Sequence, residues 1–115
     1  MNVRDKNVLK HILEYCEKLI SYTEGTDFCT FKDDSLRKDA CALSIMQIGE
    51  LVHVLTDEFK DANPEIPWRQ IRSMRNIVAH HYGTVDYETV WDTIQNDIPA
   101  LKAFCESQIA GADTD

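Results

Sequence analysis

The chain has no apolar run of membrane-spanning length. Its start, Met1-Asn2-Val3-Arg4-Asp5-Lys6, is charged and has no apolar signal core behind it. We therefore expect a cytoplasmic protein with no membrane partner. Proline and glycine number only 3 and 4, too few for a loop-rich fold, so each acts as punctuation. Strand-like alternation of useful length is missing, as are repeats and linkers. Four cysteines, Cys16, Cys29, Cys41 and Cys105, stand far apart with no Cys-x-x-Cys pair. That spacing favours reduced, mostly structural thiols over disulfides or zinc. Glu50-Leu51-Val52-His53 has the Glu-x-x-His spacing of di-iron bundles, but such a site needs a second copy and further glutamates. No second copy exists, so no metal site and no cofactor are expected. Glu50 is instead expected to face the helix around His80 and help position that histidine.

What remains is helical periodicity. A first helix is expected over roughly Val3 to Tyr22, with Val8, Leu9, Ile12, Leu13, Cys16, Leu19 and Ile20 as its apolar stripe. The segment from Thr23 to Asp33 reads as a connection with Phe28 and Phe31 tucked under it. A second helix starts at Asp34 or Ser35, both good N-caps, and runs to about Phe59. Its apolar series is Leu36, Ala40, Leu43, Ser44, Ile48, Leu51, Leu55 and Phe59, with Gly49 allowing close packing. Asp61-Ala62-Asn63-Pro64 ends it. A last helix follows Asp86, its N-cap, with Val85 and Val90 at the positions of a hydrophobic staple. Pro99 should kink that helix rather than end it, because the stripe Val90, Trp91, Ile94, Ile98, Leu101, Phe104 resumes in register. The expected architecture is all-α, an up-down bundle of about four main helices. It forms one domain over residues 1–110, with a frayed tail at 111–115.

The remaining helix carries the chemistry. From Pro67 to Val85 there is no acidic residue, yet the segment holds Arg69, Arg72 and Arg75 in a chain of net charge −8. A positive island in an acidic protein points to an anionic ligand, not to general coating of nucleic acid. Pro67 suits a first helical position and Gly83 a stop. Stepping by about 100° per residue puts Ile71, Met74, Val78 and His81 on one side. Arg69, Arg72, Ser73, Asn76, Ala79 and His80 fall on the other, with Arg75 and Tyr82 at the boundary.

Arginine offers a planar fork of donors that fits phosphate oxygens. Histidine gives or takes a proton near neutral pH. Asn76 and His80 are i,i+4 neighbours, so the amide can orient the imidazole. These are parts for cleaving an RNA phosphodiester without metal. A base takes the 2′-OH proton and cationic donors stabilise the phosphorane. Arg75 and His80 stand about 140° apart around an ideal helix. Convergence then needs either a helix ending near His80 or a two-fold homodimer that pairs this face with itself.

Arg75-Asn76-x-x-x-His80-x-Tyr82 resembles the Arg-x4-His-x-Tyr signature of the HepT toxins, in the HEPN superfamily of metal-independent ribonucleases. The likeness extends to Ile66-Pro67-Trp68 before the motif and Val85-Asp86 with Val90-Trp91 after it. Upstream it includes Arg37-Lys38-Asp39-Ala40 and Ile48-Gly49-Glu50, so it covers roughly Val8 to Leu101. The resemblance implies an HEPN-like bundle, Arg75 and His80 as catalytic residues, and Asn76 as an orienting or RNA-contacting residue. Arg72 and Arg69 then hold flanking phosphates. It also implies a type VII-like toxin–antitoxin pair, in which a minimal nucleotidyltransferase antitoxin adds AMP to Tyr82. The products would carry a 2′,3′-cyclic phosphate and a 5′-OH, with tRNA a plausible substrate. Two rival readings keep the fold. One is a non-catalytic helical subunit that docks on a nucleotidyltransferase. The other is a nucleotide-binding module that holds phosphate without cleaving it.

Overall fold

The computed structural model describes residues 1–79 and 85–114, except the side chains of 77–79 and 113–114. The described residues form α1 (Val3–Thr23), α2 (Phe28–Phe31), α3 (Ser35–Val54), α4 (Asp57–Ala62), α5 (Trp68–Ala79), α6 (Tyr87–Asn96) and α7 (Ile98–Thr114). No strand occurs among them. The fold is the expected all-α bundle, with three short helices or breaks added.

The long helix α3 is the centre. It packs against α1 on one side and α5 on another, while α7 lies on α1 and α6. Asn2 caps α1 by accepting from the Asp5 amide at 2.7 Å. Val8, Leu9, Ile12, Cys16 and Leu19 are buried as the stripe requires. Leu13 and Ile20 pack at its edge. In the connection after α1, Asp27 caps the one-turn α2. Phe31 is fully buried there, 5.1 Å from the Trp91 ring and 6.4 Å from that of Tyr87, centroid to centroid.

Three expectations need correction. The second helix does not run to Phe59. It stops at Val54, and Thr56 caps α4 by accepting from the Phe59 amide. The buried carboxylate of Asp5 fixes this break, accepting from the Thr56 amide at 3.0 Å and its hydroxyl at 2.6 Å. A buried carboxylate needs such donors, and Thr56, the N-cap of α4, supplies both. Second, Pro99 does not kink a continuous helix. The chain breaks at Asp97 and restarts at Ile98. Pro99 therefore sits in the first turn of α7, where a missing N–H leaves no bond unmade. Ile94, Ile98 and Leu101 stay buried across the break.

Third, the expected α3 series holds at Ser44, Ile48 and Leu51 but not at Leu36 and Leu43. Leu36 is 82% and Leu43 56% exposed. The buried residues are Cys41, Ala42, Ser44, Ile45, Ile48, Gly49 and Val52. At its far end α7 continues through Gly111 to Thr114.

Cys16, Cys41 and Cys105 are buried, Cys29 is exposed, and all four thiols are free. Burial pushes the Cys41 thiol up to about 11 and that of Cys105 to about 12, and raises Cys16 further. These are inert core groups rather than nucleophiles.

Candidate active site

The motif helix α5 is anchored at its first residue. The Trp68 indole Nε1 donates to the carbonyl oxygens of Lys60 at 3.2 Å and Asn63 at 3.0 Å, so it closes the end of α4. The same ring packs on Phe59 and Phe104 at 6.1 and 5.7 Å. Pro67 stands just before the first helical residue, and its carbonyl accepts from the Ile71 amide at 3.0 Å.

Up to Asn76, the last side chain described on α5, the faces divide as the periodicity predicts. Ile71 and Met74 are buried. Arg69, Arg72, Ser73 and Asn76 are exposed, and Arg75 is half-buried at the boundary. Among the described residues neither Arg69 nor Arg72 has an ion-pair partner. Three guanidinium groups and one amide thus lie along an exposed side of a single 12-residue helix. His80, His81 and Tyr82 lie outside the described residues, so the structure reports neither the Arg75–His80 geometry nor the Asn76–His80 contact.

The contact with α3 governs where this face stands. A Cβ added at Gly49 would meet Arg75 Cβ at 2.9 Å and the Arg72 carbonyl oxygen at 3.1 Å. Only glycine lets the two helices approach this closely. The next residue, Glu50, reaches across the same crossing. Its Oε1 lies 2.8 Å from Arg75 Nε, with side-chain exposures of 48% and 34%. Glu50 does face the motif helix, as expected, but the partner observed is Arg75. The arginine thus meets α3 twice, at its root through Gly49 and at its head through Glu50.

Beyond the motif, Asp86 caps α6, accepting from the Thr89 amide at 3.2 Å and its hydroxyl at 2.8 Å. Val90 is buried and Val85 packs against the core, in keeping with the staple. The Lys38 ammonium lies 4.7 Å from the centre of the Tyr87 ring. Burial raises the pKa of the Tyr87 phenol, and the Asp39 carboxylate adds to this. The first turns of α3 therefore border the chain where it leaves the motif, and the later turns border Arg75.

The family model described as Ribonuclease HepT-like matches residues 12–108, which is most of the chain. The chain belongs to the HepT-like ribonuclease family. Its relatives agree. "Putative RNase TTE0752" of Caldanaerobacter subterraneus subsp. tengcongensis is 38% identical over 82% of this chain and 84% of its own length. "Probable ribonuclease HepT" of Thermococcus cleftensis is 35% identical over 84% of this chain and 88% of its own. "Putative RNase MJ1380" of Methanocaldococcus jannaschii is 30% identical over 89% and 94%. No solved structure matches the chain.

For this HepT-like chain, motif spacing alone could not find the grip of Glu50 on Arg75. The signal was the Gly49-Glu50 pair itself. It places a residue with no side chain beside a carboxylate within the apolar stretch of α3, next to a helix that carries arginines.

Proposed function

We propose that the protein is a metal-independent endoribonuclease acting as the toxin of a type VII-like toxin–antitoxin pair. His80 takes the proton from a ribose 2′-OH, and the 2′ oxygen attacks the adjacent phosphorus. The bond to the 5′ oxygen breaks, and that oxygen receives a proton. The products are a 2′,3′-cyclic phosphate and a 5′-OH. Arg75 binds the scissile phosphate and stabilises the charge of the phosphorane. Arg72 and Arg69 hold flanking phosphates, and Asn76 orients His80 or a phosphate. Within the HepT-like family, the observation that carries this reading is the exposed arginine face of α5, with Arg75 held at its boundary.

The active unit is a two-fold homodimer in which both Arg75–His80 sets line one cleft. Leu36, Leu43 and Glu50 recur at intervals of seven on α3, so the exposed leucines share the face that carries the Arg75 partner. A second copy covering that stripe would remove apolar surface from water beside the site. A minimal nucleotidyltransferase antitoxin adds AMP to Tyr82. The added phosphate competes for Arg75 or Arg72, and the purine blocks access.

Incubation with cellular RNA in EDTA, followed by sequencing of the new ends, tests the reaction and identifies the substrate, tRNA among the candidates. Wild type should cut, while His80→Ala and Arg75→Ala should fold but not cut. Wild type that docks on a nucleotidyltransferase without cutting RNA would favour the non-catalytic subunit. Light scattering checks the dimer. Intact mass after incubation with the nucleotidyltransferase and ATP checks the modification, which Tyr82→Phe should escape.

A further inference from the structure

We infer that Glu50 is a positioning residue for the cleavage reaction: it sets the angle at which Arg75 presents its guanidinium to the scissile phosphate. The inference rests on the reaction proposed above and names a part of it that the motif does not contain.

Arginine is long and flexible, and a free guanidinium samples many positions. Arg75 is confined at both ends. Its Cβ lies where a side chain at position 49 would have to be, and its Nε meets the Glu50 carboxylate at 2.8 Å. Adjacent residues of one rigid helix thus fix both the root and the head. A guanidinium has five N–H donors in a planar fork. A carboxylate on the Nε side leaves the edge formed by the two terminal nitrogens for a bidentate phosphate.

The pair does little for stability. Both side chains are about a third to a half exposed, and exposed pairs contribute close to nothing. A carboxylate here also opposes an incoming phosphate by its charge. Since it costs substrate affinity and adds little stability, it is explained by orientation. Orientation acts mainly on the transition state, so its loss should appear in kcat rather than in KM.

The experiment compares Glu50→Ala, Glu50→Gln and Glu50→Asp with wild type in steady-state RNA cleavage. Thermal melting and the Arg75 Nε–H signal in ¹⁵N NMR are measured alongside. Glu50→Ala should lose about 10- to 100-fold in kcat, with KM unchanged or lower, Tm nearly unchanged, and the Arg75 Nε signal shifted from its wild-type position. Glu50→Gln keeps an oxygen acceptor and should recover most of kcat. Glu50→Asp is one methylene short and should behave like Glu50→Ala. A wild type that cuts while Glu50→Ala keeps or raises its kcat overturns the positioning role and leaves the reaction standing. The same holds if glutamine restores nothing, or if the loss follows Tm. A wild type that cuts no RNA removes the reaction and Glu50's role together.

Discussion

Helix α3 meets its two main neighbours by contacts of different kinds. Against α1 the surface is apolar and redundant: Leu9, Ile12, Cys16 and Leu19 share one core cluster with Cys41, Ile45, Ile48 and Val52. Against α5 the packing also draws Ile71 and Met74 into that cluster, but the closeness of the approach depends on one missing side chain, at Gly49, and one ion pair, between Glu50 and Arg75. The first kind of contact supplies stability. The second supplies little stability and much geometry. Substitutions on the two sides of α3 should therefore fail differently, the first by melting and the second by misplacing arginines.

The largest effect is expected on the α1 side. Leu9→Ala removes a fully buried side chain and should cost about 2–5 kcal/mol, read as a lower urea midpoint. Cleavage per folded molecule should not change. A selective loss of activity would break the contrast.

Gly49→Ala should be milder in stability and harsher in function. A methyl group 2.9 Å from Arg75 Cβ forces the helices apart, at about 1–3 kcal/mol. The better helix propensity of alanine offsets about 1 kcal/mol of that. The net change in melting should be small, while RNA cleavage falls well beyond what the unfolded fraction explains. Full activity with an unchanged melting point would show that the close approach does not aim the site.

Alkali should act on the core side. Cys16, Cys41 and Cys105 have folded-state pKa values raised above the ordinary 9.0 by burial. The unfolded chain therefore loses these protons first. Their contribution is complete below about pH 9 and is lost as pH rises through about 11 and 12. Melting temperature should fall over that window, with a shallower slope in Cys105→Ala even though that variant is less stable at pH 7.

The smallest stability effect sharpens the functional side. Arg72→Ala is exposed and should move stability by less than about 0.5 kcal/mol. It should lower the log–log salt slope of RNA binding by about one unit. An unchanged slope would remove Arg72 from the phosphate contacts.

The same contrast explains what the sequence could tell. Legible parts were those set by local rules. These include the α1 stripe, the caps at Asp34 and Asp86, the division of α5 into a buried side and a basic side, and the glycine at a close crossing. The break at Leu55–Thr56 was hidden because Leu55 and Phe59 keep helical spacing across it and both end up buried. Its signal, Thr56 followed by Asp57 and Glu58, was short, and its cause is Asp5, 51 residues away. The break at Asp97 was hidden likewise, because Ile94, Ile98 and Leu101 hold their phase through it. On α3 the periodicity places Ser44, Ile48 and Leu51 inward but picks Leu36 and Leu43 rather than Cys41, Ile45 and Val52, because a central helix is apolar on several sides and periodicity does not choose among them. Of the site, residue types and spacing name Arg69, Arg72, Arg75 and Asn76. The tie from Glu50 to Arg75 depends on how two helices cross, which no spacing within α5 contains.

The aromatic packing has an optical consequence. The protein has two tryptophans, and they lie in separate clusters. Trp68 sits among Phe59 and Phe104 at the head of the motif helix, and Trp91 among Phe28 and Phe31 beside α2. In Trp91→Phe the remaining emission comes from Trp68 alone, whose indole N–H is bonded to two carbonyls at the end of α4. Its wavelength then reports whether the start of α5 is seated. In Trp68→Phe the emission reports the α2–α6 cluster instead. Fluorescence can thus follow the ribonuclease helix and the distant core separately in one solution, with no label attached.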